Sequence, residues 1–309
     1  MPGASLRFFG IIFMTEPLKD DWCYAYHVVA FLDVLGQKNT FSDVSGIPED
    51  DAGKARLARV LKETVGFVRS SRETFDKICD RLSQSKGMDF PVQELLKARL
   101  VGMRKREIYS YGLADSFVAW STLKGKTETE RCKAVNGVFS VLSACAAMMA
   151  FSFARGKAIR GGINIDCAVK LFPDAKEIYG PGLNSAYVLE CCAGWPRILI
   201  GKGMCDYLQE MVDSSGKSLE AKFCRRMAKK CQQLIFIDVD GQTALDYFGV
   251  EVMSIYSRVF TKEGILLPAK KFIETQIDMF SKLYGEESKR ILDKYINARS
   301  YFLSRFPNL

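Results

Sequence analysis

The stretch that decides the fold is "VVAFLDVLG", residues 28–36. Its β-branched and aromatic residues are typical of a strand, and they predict one that ends near Asp33. Gly36 then breaks the apolar run. A carboxylate inside an apolar strand is costly to bury unless a positive group lies against it. The segment therefore predicts a buried strand with a charged site at its end.

The length and composition suit a protein with a sizeable core. The chain has 309 residues, of which 48% are hydrophobic, enough for one large domain or two small ones. We expect no apolar run near the roughly 18 residues of a membrane helix. The N-terminal "LRFFGIIFM" is too short to span and is followed by no small-residue cleavage site. These features predict a cytoplasmic protein without a membrane partner.

Cysteine and histidine usage excludes several site types. The ten cysteines include adjacent Cys191 and Cys192 but no paired CxxC spacing, which favours reduced thiols in the cytosol. The single histidine, His27, speaks against a His-rich zinc site and a Ser-His or Cys-His catalytic pair. We expect His27 to be a strand residue without a chemical role.

The positive net charge favours an anionic ligand but does not identify its chemical class. The formal charge of +8 comes from 44 Lys and Arg against 36 Asp and Glu, a balance that suits nucleic acid or a nucleoside triphosphate. Clusters such as "RKRE" and "RRMAKK" are short, and each alone is typical of a solvated surface. The continuous basic stripe with interleaved aromatics of a nucleic-acid-binding enzyme is not seen, so we expect no nucleic-acid partner.

Hydrophobic spacing predicts the order of elements. A helix is expected over 52–80, a polar and basic segment over 81–106, a hairpin over 107–121, a helix over 128–154 and a strand over 158–169. Further along, the sequence predicts a helix in "NSAYVLECC" after the turn "YGPG", strands in "RILIG" and "LIFIDV", and two amphipathic helices from 268 onward. "DVDG" (238–241) lacks the remaining ligands of a calcium loop, so a turn is expected there. This order predicts an α+β sandwich with helices on one face of a mostly antiparallel sheet.

Two carboxylates stand at the ends of predicted β-segments. Asp33 closes the first strand and Asp115 lies at the hairpin tip. In a βαββ unit these strands are neighbours, so both carboxylates can converge and would repel each other without a divalent cation between them. Two metals held by two carboxylates are typical of nucleotidyl and phosphoryl chemistry. Gly36 would allow backbone amides to approach phosphate closely.

Four segments carry a family resemblance: "AFLDVLG", "YGLADSFVAW", "IRGGI" and "YGPGLNSAYVLE". Their order and spacing over about residues 26–205 resemble the class III nucleotide cyclase catalytic domain, and more narrowly the bacterial pyrimidine cyclases of the Pycsar anti-phage system. The resemblance implies a ferredoxin-like βαββαβ sandwich with additional C-terminal helices. It divides the chain into a leader (1–25), a cyclase domain (26–260) and a C-terminal helical extension (261–309).

The resemblance also implies a mechanism and an assembly. Asp33 and Asp115 would hold two Mg²⁺ or Mn²⁺ ions, with the backbone carbonyl of Val34 completing the ligand set. The ribose 3′-hydroxyl would attack the α-phosphorus and release pyrophosphate. Asn184 falls on a catalytic position of the family. Because such domains build each site between two subunits, a homodimer is expected.

Residues at the base-reading positions differ from those of cyclic-AMP-forming enzymes. At the first base-reading position of those similar enzymes stands a lysine, and this chain has Tyr111 there instead. Glu177 occupies the second base-reading position. A tyrosine removes a cationic donor and adds a bulky ring, which favours a pyrimidine over adenine. Alternatively, Tyr111 simply packs in the hairpin.

One position departs from the family pattern. The arginine expected four residues after Asn184 is replaced by Val188. Either another cation supplies the charge, with Arg197 and Lys202 as weak candidates, or activity is reduced. Arg160 in "IRGGI" is expected to be structural.

The leading hypothesis is therefore a cyclase that converts UTP to 3′,5′-cyclic UMP. CTP is the close second substrate, since no single residue separates uracil from cytosine. The product would signal phage infection to a separate effector protein. The alternatives are a catalytically silent nucleotide-binding regulator and a palm-type enzyme that processes nucleic acid.

Overall fold

The computed structural model describes residues 23–36, 46–84, 102–103, 107–113, 115–170 and 176–309. The predicted leader, apart from its last three residues, and most of the predicted polar segment 81–106 lie outside these ranges.

Within the described residues, seven strands form one mixed sheet. They are β1 (Cys23–Val34), β2 (Tyr109–Leu113), β3 (Ser116–Thr122), β4 (Ile159–Lys170), β5 (Ile198–Ile200), β6 (Ile235–Ile237) and β7 (Thr243–Leu245). Their order across the sheet is β2-β3-β1-β4-β5-β7-β6. Only β4 and β5 pair in parallel, and the other neighbours are antiparallel. The predicted α+β class with a mostly antiparallel sheet is confirmed.

Helices connect the strands and complete the chain. They are α1 (Asp51–Glu63), α2 (Val65–Gln84), α3 (Glu128–Ala154), α4 (Pro181–Cys192), α5 (Lys202–Asp213), α6 (Leu219–Gln232), α7 (Val250–Ile255), α8 (Leu267–Ser281) and α9 (Glu286–Arg305). A π-helical turn, Lys262–Leu266, leads into α8. The helices α5 and α6 were not predicted.

The central strand β1 separates two apolar clusters. Val28, Ala30 and Leu32 point to the larger one, which α3 fills together with α2, α6 and α8. Val29 and Phe31 point to the smaller one on the opposite face, which α4 partly covers. The alternation follows from the two-residue period of a strand. Helices therefore lie on both faces of the sheet, and not on one face as the sequence predicted.

The predicted helix 128–154 is confirmed as α3. Thr127 caps its first turn, and the side chain of Glu130 reaches back to the Thr127 amide in a capping box. The expectation that no apolar run approaches membrane length is wrong, because α3 is long and apolar enough to cross one. Of its most apolar 18-residue stretch, 89% is buried within the protein, as is typical of a core helix.

The predicted helix 52–80 is instead two helices that meet at Thr64. The Thr64 hydroxyl donates a 2.7 Å hydrogen bond to the Val60 carbonyl. The backbone N–H of Thr64 donates to the same carbonyl. A threonine bonded back to the preceding turn competes with the regular helical pattern and bends it. The hydrophobic spacing alone does not show this break.

The C-terminal helices belong to the larger cluster. Ala269 and Ile273 of α8 and Ala298 and Phe302 of α9 are among its buried residues. The division at 260/261 stays a prediction, but residues on both of its sides share one core.

The helix α4 lies very close to β4 at Gly162. A Cβ placed on Gly162 would lie 2.2 Å from the Ala186 carbonyl oxygen and 2.4 Å from the Leu189 Cβ. No heavier residue fits there without moving α4 away from the sheet.

Gly162→Ala should destabilise the protein by about 3 kcal/mol, since the added methyl meets backbone and not a flexible side-chain end. Gly112→Ala is the matched strand control, because a Cβ there meets only an Arg72 nitrogen at 3.9 Å. Urea unfolding of both variants measures the difference. Equal stability of the two variants would contradict the close approach of α4.

His27 lies in the strand β1, as predicted, and its side chain belongs to the core. The residue is 1% exposed, its Nδ1 lies 2.7 Å from the Ala25 carbonyl oxygen, and its ring meets the Trp120 ring edge-on at a centroid distance of 5.1 Å. Burial lowers the pKa of His27 to about 4, and the nearby Lys170 acts in the same direction.

This lowered pKa makes stability depend on pH. The unfolded chain binds a proton near pH 6.5 and the folded chain only near pH 4, so the free energy of unfolding should fall as pH drops through this window. The full effect is about 3 kcal/mol. In His27→Gln the dependence should be shallower by up to about 1.4 kcal/mol per pH unit in denaturant titrations between pH 4 and 6.5. An unchanged slope would refute the buried neutral imidazole.

Candidate functional site

Asp33 lies near the end of β1, on the sheet face that carries α4. Directly paired residues share a face of the sheet. The register therefore sets Asp33 between Ser116 of β3 and Arg160 of β4. Phe31, two residues earlier on the same face, contacts the ring of Tyr187 from α4 at 5.3 Å.

Polar neighbours hold the Asp33 carboxylate. The Ser116 hydroxyl donates to its Oδ1 at 2.9 Å, and the Arg160 Nη2 lies 3.5 Å from its Oδ2. Arg160 Nε also forms an ion pair with the Glu190 carboxylate of α4. The side chain of Glu190 is only 3% exposed and that of Asp33 is 18% exposed. The site is thus a partly buried row of charges, Asp33–Arg160–Glu190.

The electrostatic balance disfavours the ionised form of Asp33. Its pKa is raised to about 6, chiefly by burial and to a smaller extent by the carboxylates of Glu190 and Asp115. The Ser116 hydrogen bond and the Arg160 charge oppose this rise without cancelling it. The sequence predicted a positive group against Asp33, and that group is Arg160. Arg160 also pairs with Glu190, so its charge is shared between two carboxylates.

Asp115 lies in the turn between β2 and β3, beside the end of β1. The Val34 amide donates to the Asp115 carbonyl at 3.3 Å, which ties the turn to β1. The charge of Asp115 contributes to the raised pKa of Asp33, and the convergence of the two carboxylates on one cation stays a prediction. Gly36 follows with a φ of +82°, a left-handed conformation that glycine adopts without strain.

The donor set fits hard divalent cations. The carboxylates of Asp33 and Asp115 and the carbonyl of Val34 are all oxygen ligands. A cation would offset the burial and the carboxylate repulsion that together raise the Asp33 pKa. Among the described residues, no group of three or more His, Cys, Asp and Glu side chains is arranged to hold a metal. The residues suit a cation that completes its shell with water and phosphate oxygens, as Mg²⁺ usually does.

The two predicted base-reading residues lie close together. The Tyr111 hydroxyl donates to the Ile178 carbonyl at 3.3 Å, and Glu177 accepts a 2.9 Å bond from the Tyr179 hydroxyl. Burial raises the pKa of Tyr111 to about 12, with smaller contributions from Tyr179 and Glu177. Tyr111 is half-buried against the smaller apolar cluster, so it packs in the hairpin.

Asn184 is not brought to Asp33 within one chain. It is exposed in the first turn of α4, six residues before Glu190, which corresponds to about 9 Å of helical rise. The neighbouring Gly182 lies against Ala168, far along β4 from Arg160. Val188, at the position of the missing arginine, has 56% of its surface exposed.

The two candidates for the replacement cation are engaged elsewhere. Arg197 is buried and forms ion pairs with Asp238 and Asp240, while its Nε donates to the Ala193 carbonyl at 2.8 Å. Lys202 pairs with Asp206 on the surface of α5. The carboxylates of "DVDG" thus anchor Arg197.

The expected turn at "DVDG" is confirmed. It connects β6 to β7, with the Gly241 amide donating to the Asp238 carbonyl at 2.9 Å. Gly241 has a φ of +79°, which suits glycine in a turn.

Sequence reasoning missed Glu190. The expectation that Arg160 is structural stays a prediction, and the structure adds that its guanidinium lies against the Asp33 carboxylate. The available signal was a charged residue in each apolar segment, "IRGGI" and "YVLECC". Only the strand register and the close approach of α4 to Gly162 bring the two together.

Comparisons with known proteins identify no family. No protein-family model matches the sequence, and no curated protein matches it significantly. Among solved structures, a bacterial light-regulated adenylyl cyclase aligns with a TM-score of 0.30 and 10% identity, over 76% of this chain and 98% of that one. A TM-score of 0.30 is too low to assign a fold or an activity, so the function has to be inferred from the residues themselves.

The raised pKa of Asp33 predicts a second pH dependence, opposite in sign to that of His27. The folded chain holds the proton up to about pH 6 and the unfolded chain only to about 3.8, so stability should fall as pH rises between these values. The Asp33→Asn variant has no carboxyl at this position and should not lose this stability as the pH rises. In EDTA, the free energy of unfolding of the variant minus that of wild type should therefore increase by about 2–3 kcal/mol from pH 4 to pH 7.

The exposed Asp293 of α9 provides the charge-matched control, Asp293→Asn. A constant difference between Asp33→Asn and wild type across this range would contradict the described burial of the carboxylate.

Proposed function

We propose that this protein is a nucleotide cyclase of the class III type that converts UTP to 3′,5′-cyclic UMP and pyrophosphate. The observation that carries the proposal is the partly buried Asp33 next to Asp115 at one end of the central strand. A carboxylate held at this energetic cost is typical of a functional site. The sheet order β2-β3-β1-β4 supports a ferredoxin-like core for the domain.

The proposed reaction is an internal displacement at phosphorus. The ribose 3′-oxygen forms a bond to the α-phosphorus, the bond from that phosphorus to the β-phosphate bridging oxygen breaks, and the 3′-hydroxyl proton is lost. Two divalent cations, Mg²⁺ or Mn²⁺, held by Asp33, Asp115 and the Val34 carbonyl, would activate the hydroxyl and neutralise the triphosphate.

The residues around Asp33 have positioning roles in this proposal. Ser116 fixes one carboxylate oxygen by its 2.9 Å hydrogen bond, and Arg160 holds the other side. Glu190 in turn orients Arg160 through their ion pair. Gly36, in its left-handed turn, would let backbone amides approach the phosphates.

The proposed base pocket is formed by Tyr111 and Glu177. Because Tyr111 is tied to the Ile178 carbonyl, its ring has little freedom to withdraw from the pocket. A fixed ring in place of a flexible lysine supports a one-ring base over a purine. Nothing in this geometry separates uracil from cytosine, so cyclic CMP from CTP is the neighbouring proposal.

The position of Asn184 supports a homodimer. Since it lies on the exposed surface of α4 and away from Asp33 of its own chain, it would act on the site of a second subunit. Each subunit would then give two carboxylates to one site and an asparagine to the other. By the resemblance, the cyclic nucleotide would act in the cytoplasm on a separate effector in a bacterial anti-phage response.

One observation favours the catalytically silent nucleotide-binding regulator as a second candidate. Val188 offers no charge for the transition state, and both Arg197 and Lys202 are held in ion pairs. An enzyme without that charge would bind nucleotide but turn it over slowly.

The deciding experiment incubates the protein with each of the four ribonucleoside triphosphates and Mn²⁺ or Mg²⁺, and resolves products by mass spectrometry. Cyclic UMP is expected as the main product. Asp33→Ala and Asp115→Ala should each lower the rate at least 100-fold, because each removes a ligand of the cations.

Asp293→Ala is the matched control and should retain activity, since Asp293 is an exposed aspartate of α9. Cyclic AMP as the main product would refute the proposed role of Tyr111. UTP binding without any product would favour the silent regulator.

A further inference from the structure

A cavity of about 450 Å³ lies between the C-terminal helices and the end of β1. Residues of α8 and α9 form one wall, and the turn from α3 to β4 forms another. The residues Leu35 and Gly36, which directly follow the end of β1, complete the lining. The cavity therefore adjoins the Asp33 site without containing its carboxylates.

Three cations and one carboxylate line this cavity. The cations are Lys157 in the turn before β4 and Arg290 and Lys294 on α9, and the carboxylate is Glu287. Within the described part of the chain, none of the three cations forms an ion pair. This sets them apart from Arg160, Arg197 and Lys202, each of which has a carboxylate partner.

The positive charges repel one another. Burial lowers the pKa of Lys294, and the charges of Arg160 and Arg290 lower it further. Lys294 is thus near enough to Arg160 to interact with it, and Arg160 contacts Asp33. An anion in the cavity would relieve this repulsion and form charge-assisted hydrogen bonds with lysine and arginine.

We propose that Lys157, Arg290 and Lys294 form a binding pocket for a polyphosphate chain. Two or three linked phosphates match cations on two walls of a cavity, Lys157 on one and Arg290 and Lys294 on the other. A single carboxylate would leave most of these cations unmatched. Inorganic pyrophosphate and the polyphosphate tail of a nucleoside triphosphate share this chemistry. Only the second source rests on the proposed function.

Isothermal titration calorimetry with sodium pyrophosphate in EDTA tests the pocket. Lys294→Gln and Arg290→Gln should each weaken binding at least tenfold relative to wild type. Lys289→Gln is the matched control, because it removes one exposed positive charge from the same helix without lining the cavity. It should change the affinity less than twofold. Thermal unfolding of each variant checks that it is folded.

Parallel titrations with UTP distinguish the two sources. Binding of both ligands, each weakened by Lys294→Gln, supports the pocket with the nucleotide tail as one occupant. Binding of pyrophosphate alone supports the inorganic source. No pyrophosphate binding to wild type, or the same loss of affinity in Lys289→Gln as in Lys294→Gln, would overturn the proposal.

The test also separates this inference from the proposed function. Asp33→Asn should retain pyrophosphate binding, because Asp33 does not line the cavity. If no nucleotide is cyclised but pyrophosphate binding still depends on Lys294, the cyclase proposal fails and the pocket stands. If cyclic UMP forms at the same rate in Lys294→Gln and pyrophosphate does not bind, the pocket fails and the cyclase stands.

Discussion

The strand β1 is hydrogen-bonded along both edges and covered on both faces, and the rest of the structure depends on this constraint. Its register with β3 and β4 is continuous from residue 27 to residue 33. A slip by one residue would turn Asp33 into the larger apolar cluster and expose the opposite set of side chains. The position of the carboxylate is therefore set by the packing of the whole strand.

The same constraint explains why the site needs residues distant in sequence. Arg160 faces Asp33 because β4 pairs with β1, and Glu190 reaches Arg160 because α4 lies against Gly162 without an intervening side chain. A buried ion-pair row of this kind contributes little net stability, since desolvation offsets attraction. Its role is better understood as holding one carboxylate in one orientation beside Asp115.

Local sequence patterns predicted the strands and helices whose hydrophobic periodicity lies within one segment. They failed where contacts between distant segments determine the structure. The strand at Asp33, the hairpin and the helix 128–154 follow from periodicity, and the structure has them. The break at Thr64 depends on one side-chain hydrogen bond, and the three-residue strand β7 is too short for a pattern. In the site, Asp33 and Asp115 could be found from apolar runs that end in an acid. Glu190 could not, because its partner is set by register and not by spacing.

The late position of α9 has a consequence for how the chain folds during synthesis. The helix α3 is among the most apolar segments, yet part of its cover comes from α8, against which α9 packs. Buried Phe302 belongs to the same core. At roughly 5–20 residues per second, ribosomes need about 7–30 s to make the 148 residues that separate Ala154 from Phe302. During this interval the nascent chain carries an apolar helix without its full cover, and chaperones that bind exposed apolar surface have time to act on it.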